Sequence, residues 1–171
     1  MVTRTVEPEI KYHTKNDLSA DIREPVIALL NRRLADCIDL QTQTKVAHWN
    51  VKGSSFIALH KLFDEVNEDV EDYVDLIAER AVQLGGVAEG TVRTVAERSE
   101  LSEYPLDISS GEDHVKALSS ALADFGTRAR RAIDEANEIG DADTADIFTE
   151  ISRGTDKWLW FVEAHLQRAK K

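Results

Sequence analysis

Two pairs of metal-ligating side chains share one segment of the sequence: His60 with Asp64, and Asp75 with Glu79, each four residues apart. On a helix that step stacks both members of a pair on one face, a turn apart. At about 100° per residue all four fall within an arc of roughly 100°, but Asp64 and Asp75 are separated by about 16 Å of helix rise. Each pair is therefore half a metal site that one helix cannot close. A second copy laid antiparallel, with a twofold axis between residues 69 and 70, brings His60 opposite Glu79 of the partner subunit and Asp64 opposite Asp75 of the partner subunit. One register makes both pairings, and symmetry gives two equivalent sites about 22 Å apart along the helix. His48, at the end of the preceding helix, adds a nitrogen donor from the chain that supplies His60 and Asp64. Two imidazoles and three carboxylates suit iron(II), manganese or zinc, and the lack of thiolates argues against copper(I) or an iron–sulfur cluster. Redox chemistry favours iron.

An acidic helix face by itself marks only solvent exposure, so the weight falls on imidazoles mixed with carboxylates at these steps. A metal centre inside a single bundle would need Glu-x-x-His motifs on two helices. None exists: Ile10, Lys45, Ile57, Gly111 and Val162 stand three residues before the five histidines. His13, His114 and His165 receive no role.

The elements that must hold these residues are helices. Alternating Val/Ile/Thr-rich runs are lacking, and prolines occur only at 8, 25 and 105. A first helix starts near Ser19 or Asp21 and runs through Ile27, Leu30, Leu34, Ile38 and Ala47 to about Asn50, where Lys52-Gly53-Ser54 breaks it. The second follows the Ser54-Ser55 cap and carries Leu59, Phe63, Val66, Val70, Tyr73, Ile77 and Leu84 until Gly85-Gly86. Residues 86–110 are more chain than a helix hairpin requires, with a short helix at Val92–Glu97. A third helix fits Glu112–Ile139, and a fourth runs from about Asp143 to Arg168. The fold class is all-α: a four-helix bundle with a long crossover between helices 2 and 3 that carries a short extra helix. Residues 1–17 form an N-terminal tail, 18–168 the bundle domain, and 169–171 a short basic tip.

A chain of 171 residues buries a core without disulfides, and its single cysteine, Cys37, has no internal partner. No apolar run reaches the roughly 20 residues of a membrane span and no secretory leader is apparent, so a cytoplasmic protein with no membrane partner is expected. The formal charge of −11 repels nucleic acid unless positive charge is concentrated locally. Residues 1–20 set Arg4, Lys11 and Lys15 against Glu7, Glu9 and Asp17, a net of zero, and only Arg168, Lys170 and Lys171 are clustered.

The segments KVAHWNVKGSSFIALHKLFDEV (45–66), DLIAERAVQLGGVAEGT (75–91), SEYPLDI (102–108), DTADIFTEISR (143–153) and DKWLWFVEAHL (156–166) resemble the Dps family, the miniferritins named as DNA-binding proteins of starved cells. The resemblance covers nearly all of the chain after about residue 17 and fills every ferroxidase ligand position of that family, with His48, His60, Asp64, Asp75 and Glu79. It implies a ferritin-like bundle assembled as a hollow homododecamer, with Fe(II) and hydrogen peroxide as substrates and a ferric mineral stored inside, a protection against oxidative damage. Zinc or manganese would occupy the same donors. It also implies that Glu65, Glu68, Asp69 and Asp72 border the cavity and nucleate mineral, that Asp141, Asp146 and Glu150 line an ion-entry pore, and that Trp49 and Trp160 intercept oxidising equivalents. For each of these groups an ordinary role competes: solvation, helix capping and interior packing respectively. The alternative function is a nucleoid-associated protein that compacts DNA, with a minor or zinc-filled metal site; the balanced N-terminal charge supports it weakly.

Overall fold

The computed structural model describes residues 10–167. The expected tail before residue 10 and the basic Arg168, Lys170 and Lys171 lie outside them. α1 spans Ala20–Asn50, with the Ser19 carbonyl accepting from Ile22 and Arg23 at its start and Pro25 inside its first turns. Pro25 lies just past the first turn, two residues after Arg23 N–H closes its bond to Ser19, so the helix forgoes one ladder bond there, near the end where its fixed φ still suits the helix. α2 spans Phe56–Gln83, the short α3 Val92–Arg98, α4 Gly111–Ile139 and α5 Ala142–Glu163. Four long helices, joined α2 to α4 by a crossover that carries α3, match the architecture expected from periodicity.

α1 lies along α2 and α4 along α5, with α1 also against α4 and α2 against α5. Phe63, Phe125 and Phe148 are fully buried at the centre, flanked by Leu30, Leu34, Ile77, Leu118 and Leu122. The α1–α2 turn is pinned to the start of α4 by Lys52 N–H donating to the Ser109 carbonyl at 3.0 Å. Among the described residues the only β pairing is the isolated bridge between Lys52 and Ser110.

α2 stops at Gly85, whose φ of +90° is costly for a residue with a Cβ. A Cβ there would also meet the Tyr12 carbonyl at 2.5 Å, because the chain before α1 docks on this turn, Lys11 and Tyr12 both donating to the Gly85 carbonyl. The crossover is held by a polar row on α1. Asn31 donates to the Val87 carbonyl and accepts from Glu89 N–H, Asp36 accepts from Glu100 N–H, Asp39 from the Ser99 hydroxyl, and Gln43 donates to the Ser102 carbonyl. α5 ends earlier than its periodicity implies. Past Glu163 the backbone tightens, His165 N–H reaching the Val162 carbonyl and Leu166 N–H that of Glu163, and Leu166 is partly buried against the core.

Candidate metal centre

The reversal at residues 51–55 sets the last turn of α1 beside the first turns of α2, and His48 and His60 meet there. Their rings stack with centroids 3.7 Å apart and 22° between planes. Each Nδ1 points at the other residue's main-chain carbonyl, His48 Nδ1 to His60 O at 2.7 Å and His60 Nδ1 to His48 O at 2.9 Å. A carbonyl only accepts, so each Nδ1 carries the hydrogen and each Nε2 keeps its lone pair for a metal. The reciprocal bonds fix both tautomers and both ring orientations before any ion arrives.

Asp64 stands one turn beyond His60 with its side chain 40% exposed, its Oδ1 3.7 Å from His48 Nδ1. The same oxygen is paired with the ammonium of Lys45, one turn before His48. The Lys45 hydrogen bond holds the Asp64 carboxyl below the usual carboxylate range, and the Lys45 charge adds to it, against the opposing effect of burial. It is an anion at neutral pH, ready to ligate. Asp75 and Glu79 are both exposed farther along α2. Among the described residues no three His, Cys, Asp or Glu side chains converge closely enough in one chain to hold an ion. The structure thus brings His48, His60 and Asp64 together and leaves Asp75 and Glu79 apart from them.

The other residues singled out from the sequence divide by environment. Glu65, Glu68 and Asp72 are exposed on α2, whereas Asp69 accepts from Trp158 Nε1 at 2.6 Å and from the Lys157 ammonium at 3.3 Å. Asp146 and Glu150 are exposed on α5. Asp141 is not: it is 2% exposed, accepts from Arg80 Nη2 at 2.8 and 2.9 Å, and caps α5 through Thr144 N–H and the Thr144 hydroxyl. Both of its oxygens are committed within the chain, to an ion pair and to the cap of α5, whereas Asp146 and Glu150 stand open to solvent. Trp49 and Trp160 are 66% and 61% exposed, which removes packing inside the chain as their role. Two residues went unassigned in the sequence, Lys45 and Trp158. Position could have found Lys45, since it lies one turn before His48 on the same helix.

Residues 27–171 match the family model described as a ferritin-like domain. The DNA protection during starvation protein of Agrobacterium fabrum is 47% identical over 156 residues, which is 91% of this chain and 96% of that protein. Among solved structures, DpsA14 from Streptomyces coelicolor superposes with a TM-score of 0.87 at 33% identity, covering 93% of this chain and 94% of that one. Dps from Microbacterium arborescens, solved in a high iron form, gives 0.80 at 35% identity over 86% and 96% of the two chains.

Proposed function

Because this chain belongs to the ferritin-like family, and within it to the Dps miniferritins, we propose that it oxidises Fe(II) with hydrogen peroxide at sites shared between two chains and stores the ferric product. The observation that carries this reading is the reciprocal His48–His60 lock, which spends both Nδ1 atoms on carbonyls and leaves two Nε2 donors beside the anionic Asp64. The site is completed by Asp75 and Glu79 of the partner subunit in the antiparallel register. That register has independent support from exposed apolar residues. Ile57 and Val82, 59% and 54% exposed, also fall opposite one another in it, and Val82 borders a hollow of about 400 Å³ with Ala78, Glu79, Gln83 and Ala88. Exposed apolar side chains that meet across a twofold axis stabilise association.

The donor set fits the substrate. Neutral imidazoles bind Fe(II), and anionic carboxylate oxygen stabilises the harder Fe(III), so the site favours the oxidised ion. Two Fe(II) ions giving one electron each, with two protons, reduce one peroxide to two waters and release no hydroxyl radical. Zinc or manganese would compete for the same donors. Exposed Glu65, Glu68 and Asp72 on the adjoining face of α2 supply carboxylates on which ferric mineral nucleates, and Asp146 and Glu150 on α5 attract incoming cations. The assembly is a closed homododecamer of about 230 kDa, twelve chains of 19.2 kDa. It works in the cytoplasm, and among the described residues no helix is long and apolar enough to cross a membrane. The charge of −11 per chain opposes direct DNA binding, so protection of DNA here proceeds by removal of iron and peroxide.

The test mixes the assembled protein anaerobically with Fe(II), adds peroxide, and follows ferric absorbance. Rapid oxidation in the native protein and its loss in the His48→Ala/His60→Ala double variant are expected. An unchanged rate in an intact assembly of that variant would refute the site.

A further inference from the structure

His114 receives no role from the sequence, yet the structure buries it to 1% exposure and sets its Nδ1 2.8 Å from the hydroxyl of Tyr104, itself 7% exposed. Burial pushes the Tyr104 hydroxyl up and the His114 imidazole down, so both are neutral at pH 7. Nε2 of His114 makes no hydrogen bond of ordinary geometry, but the main-chain carbonyl of Asn50, the last residue of α1, faces the ring and favours a proton on that nitrogen. With the hydrogen on Nε2, Nδ1 is an acceptor and the Tyr104 hydroxyl donates to it. That bond closes a loop running from Tyr104, at the end of the crossover, to His114 in the first turn of α4.

The middle of this loop decides where α1 ends. Val51 leaves the helical region, with φ −59° and ψ 139°. In a continued helix Lys52 N–H would donate to the His48 carbonyl, four residues back. Instead it turns away and donates to the Ser109 carbonyl at 3.0 Å, beside the bridge between Lys52 and Ser110. The His48 carbonyl is thereby left to accept from His60 Nδ1 at 2.9 Å. One main-chain oxygen thus has two rival donors, the next turn of its own helix and a metal ligand, and the loop draws off the first. Ser109 and Ser110 also border an open hollow of about 580 Å³, shared with Ser54 and Ser55, so packing from that side does not hold them. The Tyr104–His114 bond at the base of the loop, with His114 N–H on the Ser110 carbonyl at 3.1 Å, holds them instead.

We propose that Tyr104 and His114 are positioning residues for the shared metal site: their bond seats the loop at Ser109 and Ser110, which draws Lys52 N–H off the helix and reserves the His48 carbonyl for His60. This rests on the reading of His48 and His60 as metal ligands. Neither Tyr104 nor His114 is a ligand, and their effect passes through the tautomer of His60. With its Nδ1 hydrogen anchored on His48, His60 presents a bare Nε2 to the metal. Without that anchor the hydrogen is free to sit on either nitrogen, and the form with Nε2–H cannot ligate through that atom.

The experiment reads the tautomer before any metal is added. The assembled full chain, with isotope-labelled histidine ring nitrogens, is studied by solid-state NMR at neutral pH, and the His60 signal is identified by its loss in His60→Ala. Native His60 should be the Nδ1–H tautomer alone. Tyr104→Phe, which removes one hydroxyl and keeps the ring, should turn that signal into a mixture and weaken Zn(II) binding, measured by calorimetry, by roughly 10-fold. His114→Leu should do the same, and His114→Asn, whose side-chain amide can stand where Nδ1 stood, should return both readouts to native values. A single Nδ1–H tautomer with native affinity in Tyr104→Phe would overturn the proposal. Equal losses in His114→Asn and His114→Leu would overturn it too, since packing at that position and not the bond would then be at work. Should His114→Leu fail to assemble, Tyr104→Phe decides alone. A native protein that binds no Zn(II) would instead remove the metal-site reading on which the proposal stands, a result distinct from tight binding that is indifferent to Tyr104.

Discussion

Asp64 and Asp141 are both aspartates paired with a cation across a helix contact, and both carboxyls lie below the ordinary range. Their surroundings differ in every other respect. Burial alone would raise Asp141, and it is the hydrogen bonds from Thr144 and Arg80 that overcome the desolvation. Both of its oxygens are used, and its Arg80 partner is 5% exposed. Asp64 is lowered chiefly by one hydrogen bond from Lys45, and both members of that pair are over one-third exposed. A depressed carboxyl therefore does not by itself mark a functional site. What separates the two is closure: Asp141 has no oxygen left to offer, whereas Asp64 lies open beside two imidazoles whose outer nitrogens are unspent.

The most severe way to break the contrast is to remove the cation from each pair. Arg80→Met leaves a buried carboxylate without its partner and removes a tie between α2 and the start of α5, so it should cost about 3–5 kcal/mol of stability. Denaturant unfolding at pH 7 checks this, and a cost under about 1 kcal/mol, the range of an exposed pair, would erase the distinction. The second test is acid. Because the folded value of Asp141 lies below its unfolded value of about 3.9, its contribution is fully present above that unfolded value and is lost as pH falls through the folded one. Asp141→Asn cannot titrate, so its stability should start lower at pH 7 and decline less steeply than the native protein between pH 5 and the acid transition. Parallel acid limbs would show that Asp141 is not the group that titrates.

The half-site spacing and the helices are legible in the sequence because both are local patterns. A four-residue step places His60 and Asp64 on one face whatever surrounds them, and a crossover shows itself as chain too long for a hairpin. Asp141 was not legible in the same way. A carboxylate at the start of a helix reads alike as cap or pore group until Arg80, 61 residues earlier, is seen to reach it. The Nδ1 bonds that prepare His48 and His60 depend on two main-chain carbonyls brought together by the α1–α2 reversal, which no spacing rule encodes. Trp158 and Trp160 lie two residues apart and face opposite ways, one 4% and the other 61% exposed. Helical phase alone assigns Trp158 to the core, but not its bond to a carboxylate on another helix.

The gentlest test sharpens the comparison from the open side. Lys45 and Asp64 are 35% and 40% exposed, so breaking the pair with Lys45→Met should change stability by no more than about 1 kcal/mol. Its effect should instead appear in metal binding. In the free protein the ammonium occupies Asp64 Oδ1, the oxygen that also lies nearest His48, and an incoming cation must displace it. Removing the ammonium removes both that competition and a neighbouring positive charge. Titration calorimetry of the assembled protein with Zn(II), which has no redox step to obscure the heat, should show binding tightened by about 3–10-fold, up to roughly 1.4 kcal/mol. Weaker binding would mean that Lys45 orients Asp64 for the metal more than it competes with it. The same substitution should leave the acid limb governed by Asp141 unchanged, because the two pairs share no partner and additivity holds for such sites.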